Sequence, residues 1–187
     1  MRVEVPLRKS CTLINHGPTT LITSAHGGRR NVMAAAWVMA LDYEPPKLCA
    51  VIAAGTRTRE LIEASREFVV CVPTLGQIDL VYAAGSSSGG DADKFARLGI
   101  ATEPASRVAA PLVAGCAAWL ECRVVDEPGI QERYDLFVAE VVAAWADDAS
   151  FRDGRWAFAT PEARTIHHVH RGVFFATGEP HTARTPA

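Results

Sequence analysis

The 187-residue chain carries five cysteines and no Cys-x-x-Cys pair, so the spacing of a zinc site or a redox disulfide is missing. Charge of either sign is not in excess. Nineteen Lys and Arg against 21 Asp and Glu leave a net charge of −2, without the basic footprint of a nucleic-acid binder or the acidic excess of a disordered segment. Every apolar run is interrupted by Arg, Lys, Asp or Glu before it reaches membrane length, and neither end reads as a signal peptide, so a cytoplasmic protein is expected. No internal repeat is present. The regularly spaced long helices of a parallel βαβ array are also missing, which favours an antiparallel barrel or sandwich with a few helices.

What is present is 49% hydrophobic residues, enough for one domain with a real core, and a frayed tail is expected at 180–187. The odd, widely spaced cysteines mostly sit in apolar runs and read as buried free thiols, with Cys49 kept as a single redox candidate. Short β-branched runs predict strands at 19–24, 47–54, 68–72, 116–125, 136–145 and 173–177. The glycines at 27 and 28 follow the first of these and mark a reversal or an outward loop.

Three helices are expected between the strands. Thr58 is a cap candidate for 59–65, Thr74 and Gln77 form a capping box ahead of 78–84, and 91–98 ends at Gly99. The six small residues at 85–90 are either a linker or a loop that tightens around a ligand.

Residues 31–58 carry the chemistry. A helix beginning at Thr56, Arg57 and Thr58 offers unpaired N–H groups, hydroxyls and the guanidinium of Arg57 or Arg59 to a phosphate. The plain alternative is an ordinary capped helix. Upstream, Ala34, Ala35 and Ala36 beside Trp37 make a smooth strand against which a flat ring can approach the backbone, or else a tightly packed strand with Trp37 in the core. His167, His168 and His170 lack acidic or Cys companions and alternate across a strand, so they read as polar residues at a cofactor rim rather than as metal ligands.

In their order these residues resemble the flavin reductase-like family of FMN-binding split barrels, in particular its flavoredoxin-like branch, and the resemblance covers roughly residues 12–179, which it implies as the domain core. The resemblance rests on Leu21-Ile22-Thr23-Ser24 before Gly27-Gly28, Asn31 with Ala36-Trp37, Pro45-Pro46, Thr56-Arg57-Thr58, the 67–73 strand, Asp93-Lys94-Phe95, Leu120-Glu121-Cys122, the 136–141 strand, His167-His168 and Gly172-Val173-Phe174-Phe175. It implies a mainly β, antiparallel Greek-key split barrel, a homodimer, and FMN held without a covalent bond.

By the same resemblance, Asn31, Ala35, Ala36, Trp37 and Val38 flank the ring and ribityl chain. Ala53, Ala54, Thr56, Arg57 and Thr58 meet the phosphate, Asp91 and Lys94 belong to the helix beside the flexible loop, and His168 and Phe174 lie near the flavin. Lys94 is either a further phosphate cation or a solvated helix lysine.

Two positions depart from the family pattern: Ala36 where relatives often have Ser, and Tyr134 where relatives often have a His near the nicotinamide. The implied activity is an FMN-dependent oxidoreductase that takes hydride from NAD(P)H and passes electrons to a small-molecule or protein acceptor, with no residue needed as acid or base. A carrier that never meets NAD(P)H, or a split barrel holding haem or a pyridoxal derivative, are the alternatives. Nucleic acid and membrane are not expected as partners.

Overall fold

The computed structural model describes residues 1–90 and 93–184. After a short strand β1 (Arg2–Glu4) and a 3-10 turn, the expected reversal forms as a hairpin of β2 (Thr20–His26) and β3 (Arg29–Ala35). Gly27 and Gly28 sit at φ 56° and 75°, the two positive values that a two-residue type I′ turn requires. The chain continues as β4 (Val38–Tyr43), β5 (Pro46–Val51), β6 (Glu67–Val72), the two-residue pair β7 (Thr102–Glu103) and β8 (Leu112–Val113), then β9 (Ala118–Val124) and β10 (Leu136–Asp147). It closes with the small hairpins β11 (Phe151–Arg152) with β12 (Arg155–Trp156), and β13 (Ile166–His170) with β14 (Val173–Ala176).

The main sheet runs in the order β3-β2-β6-β9-β10-β5-β4, all neighbours antiparallel, with β1 added beside β10. Its two end strands, β3 and β4, are consecutive in the chain and separated only by Ala36 and Trp37. The sheet therefore has to curl until its ends approach, giving a barrel that is split along one seam. Ile22, Val38, Leu48, Phe68, Leu120 and Phe137 fill its interior. A second apolar cluster, including Leu21, Val69, Cys71 and Trp119, covers the outer face of β2, β6 and β9. Residues Phe68 to Val72 are wholly buried because β6 lies between both clusters, which accounts for an apolar run without alternation.

Helix α1 (Arg57–Ser65) is capped by Thr56, whose side chain accepts from the Arg59 N–H, and not by Thr58. The capping box of Thr74 and Gln77 opens a 3-10 turn from which α2 (Ile78–Gly85) continues. The third helix is shorter than expected: α3 (Lys94–Arg97) is capped by Asp93, and the first two residues of the expected span lie outside the described residues. A fourth helix, α4 (Pro128–Tyr134), forms with Pro128 in its first turn and was not expected. Residues 177–184 have no regular structure, and the end of the expected frayed tail, 185–187, lies outside the described residues.

All five cysteines are free and buried. Cys49 lies on β5, and burial pushes its thiol up from its ordinary value, which disfavours the reactive thiolate. Trp37 is not a core residue: it is 73% exposed in the bend between β3 and β4. Among the described residues, no helix is long and apolar enough to cross a membrane.

Candidate functional site

A cleft runs along β3, between that strand on one side and α2 with the 86–90 loop on the other. It consists of two cavities of about 370 and 480 Å³ that share Ala34, Gly85 and Ser86 as walls. Each is of the size of a small-molecule site. The close approach of α2 depends on small residues, since a Cβ placed on Gly85 lies 3.1 Å from Ala34 Cβ.

One end is apolar. Ala34, Ala35 and Ala36 form its floor, and Tyr82, His168 and Phe174 enclose it. His168 is held at three points: its N–H donates to Thr19 Oγ1 at 2.7 Å, its Nε2–H donates to the Arg171 carbonyl at 2.9 Å, and its ring meets Phe174 edge-on at 5.2 Å. The Nε2 bond to a carbonyl leaves Nδ1 as the ring's bare nitrogen in the neutral form. The β13–β14 turn that carries Arg171, at φ 48°, brings Gly172 against the ring of Tyr82.

The other end is polar, and its groups are pre-arranged. Asn31 Nδ2 donates to Thr58 Oγ1 at 2.9 Å, both side chains are buried, and Asn31 Oδ1 has no hydrogen-bond partner among the described residues. Lys94 is buried, which overturns the solvated-helix reading. Its Nζ donates to the Val32 and Ala84 carbonyls at 3.0 and 2.8 Å, leaving its third N–H available to the cavity it lines. Burial, helped by the charge of Arg97, holds the Lys94 ammonium below its ordinary value. Arg57 reaches Glu60 at 2.6 Å and the Gly90 carbonyl at 2.9 Å, so it fastens the 86–90 loop to the start of α1.

Thr56 lines the polar cavity, but its hydroxyl donates to the Ala53 carbonyl at 2.9 Å, so its proton is committed to the turn. Several other expected site residues stand elsewhere. Ala53 and Ala54 are exposed and line neither cavity. Arg59 points away from the cleft, pairs with Glu63 at 2.8 Å and with Asp135, and lies over the Phe137 ring, tying α1 to β10. Val38 packs into the barrel interior, and Trp37 lines neither cavity. Tyr134 ends α4 beside Arg133 and is 60% exposed, also outside the cleft. Asp91 lies outside the described residues.

Thr19, Tyr82 and Arg171 line the cleft without having been expected there, while Ser86 lines it as part of the 85–90 stretch expected to be either a linker or a ligand loop. Only tertiary docking of the β13–β14 hairpin onto α2 brings Tyr82 and Arg171 together. No local signal marks either residue.

A ligand matched to this cleft has a flat, largely apolar body and an anionic end. A model of the family described as "Flavin reductase like domain" matches residues 14–171. The chain belongs to that family. It is 44% identical to the FMN-binding domain of a flavin reductases-like enzyme from Shewanella baltica OS155, with 98% of each chain covered and a TM-score of 0.95. It also resembles the flavoredoxin of Desulfovibrio vulgaris (Miyazaki F), at 25% identity over 89% of this chain and 90% of that one, with a TM-score of 0.77. The reductase subunit HsaB of a flavin-dependent monooxygenase from Mycobacterium tuberculosis is 30% identical over 80% of this chain and 79% of its own length. Split barrel and family are thus both shown for this flavin reductase-like chain.

Proposed function

We propose that this flavin reductase-like protein binds FMN in the cleft along β3 and acts as an oxidoreductase, taking hydride from NAD(P)H and passing electrons to a small-molecule or protein acceptor. The observation that carries the reading is the contrast within one cleft. At one end stand Thr58 with a free hydroxyl proton, Asn31 with an orphaned Oδ1, Lys94 with an unused N–H and the N-terminus of α1, and at the other stand three alanines enclosed by aromatic rings.

The residues fit the group. Thr58, Lys94 and Arg57 supply donors for a phosphate, and the α1 N-terminus adds partial positive charge. Asn31 Oδ1 is placed to accept from a hydroxyl of the ligand's tail. Ala34, Ala35 and Ala36 let a ring approach the backbone, while Tyr82, His168 and Phe174 exclude water from its edge. FMN, when bound, supplies the hydride and electron chemistry, and the chain's residues bind, orient and shield it. No side chain is required as acid or base.

A carrier without its own NAD(P)H reaction is the second reading, favoured by the likeness to flavoredoxin. The absorption spectrum of the purified protein tests the cofactor, since a haem or pyridoxal band in place of flavin overturns the assignment. Stopped-flow mixing of the FMN-loaded protein with NADH and with NADPH tests the reaction. Bleaching of the flavin band supports the reductase, and an unchanged band with both donors supports the carrier.

We also infer a homodimer and a cytoplasmic location. Trp37, in the bend just before the edge strand β4, and Met39, Leu41 and Tyr43 along it are 73, 58, 51 and 68% exposed, beside Ala36 of the cleft, and such an apolar edge calls for a cover. A second copy of the chain is the cover proposed. Sedimentation of wild type and of Met39→Glu checks it, since a monomeric wild type overturns the dimer. Five free buried thiols suit a reducing compartment.

A further inference from the structure

The apolar end of the cleft carries a cation, Arg171, whose guanidinium makes no hydrogen bond or ion pair among the described residues. The walls of that cavity include no Asp, Glu or Lys, and Arg57 and Lys94 line the polar cavity and not this one. The backbone that presents Arg171 is unusual. His170 pairs with Val173, so the turn consists of Arg171 and Gly172, and its left-handed φ, 48°, falls on Arg171 and not on the glycine. A residue with a Cβ is strained there, where Gly, Asn or Asp is usual. The turn is nevertheless held from both sides. The Arg171 carbonyl accepts from His168 Nε2–H at 2.9 Å, and Gly172 lies so close to the Tyr82 ring that an added Cβ would stand 3.5 Å from it.

We propose that Arg171 stabilises the negative charge that the flavin ring gains on reduction, and so sets the potential of the bound cofactor. The proposal rests on the flavin reading of the cleft. A hydride brings two electrons and one proton to a neutral ring and leaves the nicotinamide as its oxidised cation. The ring therefore gains one negative charge until a second proton follows. A guanidinium keeps its own charge throughout and meets a planar, delocalised anion with its N–H fork. Such a cation at the ring end favours the reduced form over the oxidised one, and that difference is a change in potential. A glycine at this position would relieve the strain and lose the charge, so the strained turn is accounted for by what its side chain does and not by the fold.

The test compares wild type with Arg171→Gln, Arg171→Lys and Arg171→Gly. Fluorescence titration reads the affinity for oxidised FMN, equilibration of the FMN-loaded proteins with dyes of known potential reads the two-electron midpoint, and melting curves read the fold. Arg171 is exposed, so each variant should keep its structure. Arg171→Gln should hold reduced FMN about tenfold more weakly relative to oxidised FMN, which lowers the midpoint by about 30 mV. Its affinity for oxidised FMN should stay within about twofold. Arg171→Lys should restore most of the potential, and Arg171→Gly should lose it while melting at or above the wild-type temperature. An unchanged midpoint in Arg171→Gln overturns the proposal, and a raised KM for an anionic electron acceptor beside it gives the cation to the acceptor instead. Equal weakening of oxidised and reduced FMN overturns it too, leaving Arg171 as a plain contact. A wild type whose titration with FMN stays flat fails the flavin reading itself, before any potential is measured.

Discussion

The two ends of the cleft are built on opposite principles. The polar end uses backbone and buried side chains that hold one another in place while leaving polar atoms over for a ligand: Asn31 with Thr58, and Lys94 with two carbonyls. The apolar end consists of missing side chains, three alanines and a glycine, closed by a hairpin that comes from the far end of the sequence. Pre-paired donors give orientation and affinity for charge, whereas small residues give space, and space is not specific for one ligand. Removal of the polar end therefore discriminates between FMN and riboflavin. Alteration of the apolar end does not.

The largest effect is expected from Arg57→Ala combined with Thr58→Val, which removes a cation and a hydroxyl donor. FMN affinity falls by about a hundredfold or more while riboflavin is held about as before, because two charge-assisted bonds of about 1.5–3 kcal/mol each act on the phosphate alone. Fluorescence titration of both flavins reads the contrast, and wild-type FMN affinity in the double variant rejects the phosphate assignment. Thr58→Val also leaves the buried Asn31 Nδ2 without an acceptor, at about 1–3 kcal/mol of stability, so Thr58→Ser serves as the control that keeps both bonds. At the opposite end, Ala36→Leu places a branched side chain on the cleft floor. Riboflavin and FMN should weaken together, by about tenfold, as overpacking of about 1–3 kcal/mol implies. Loss of FMN alone breaks the division of labour between the two ends.

How much of this was legible in the sequence follows the same division. The polar end was legible in outline because Thr56, Arg57 and Thr58 are contiguous and carry their own helix-start signal. The capping role went to the wrong threonine, since both flank Arg57 and only the extended backbone of Thr56, φ −91° and ψ 144°, decides between them. Arg59 looked equivalent to Arg57 for the same reason. Two positions on along a helix turn a side chain to another face, and Arg59 there meets Glu63 and Asp135.

The strand pattern and the barrel were legible from β-branched runs and glycine turns, and family resemblance narrowed them to a split barrel. Tyr82 and Arg171 were not, because their meeting is a long-range docking event with no periodicity to announce it. Neither was the exposure of Trp37, which depends on β4 lying at the seam and not on its own composition.

A smaller effect is expected where the loop tip crosses the polar end. A Cβ on Gly89 falls 2.2 Å from Asn31 Oδ1, the orphaned acceptor, so Gly89→Ala forces the loop or Asn31 to move. FMN affinity should drop about threefold to tenfold, with riboflavin following it in part because Asn31 serves the ligand's tail and not the phosphate. Unchanged affinity for both flavins means that the tip and Asn31 are independent, and the polar end is then less rigid than its hydrogen bonds imply.

The smallest effect concerns how the apolar end is held shut, and it is a pH effect. His167 Nδ1–H donates to the Gly17 carbonyl at 2.9 Å, so for neutral rings the Thr177 hydroxyl donates to His167 Nε2 at 3.0 Å, Thr165 donates to Thr177 at 2.6 Å, and His16 Nε2–H donates to Thr165 at 2.8 Å. This chain fastens β13, the strand of His168, and leaves His16 Nδ1 bare, buried and without a partner among the described residues. Burial, with the nearby His167, lowers the His16 imidazole to about 4 from 6.5. As pH falls below about 6.5 the unfolded chain takes up the proton first, so stability is full above that value and declines until the folded form protonates near 4. After solvent screening the loss amounts to about 1 kcal/mol, or about 2–4 °C in melting temperature. Melting curves of wild type and His16→Gln between pH 7 and 4 check it: the variant should show the shallower fall, and parallel curves reject His16 as the group responsible.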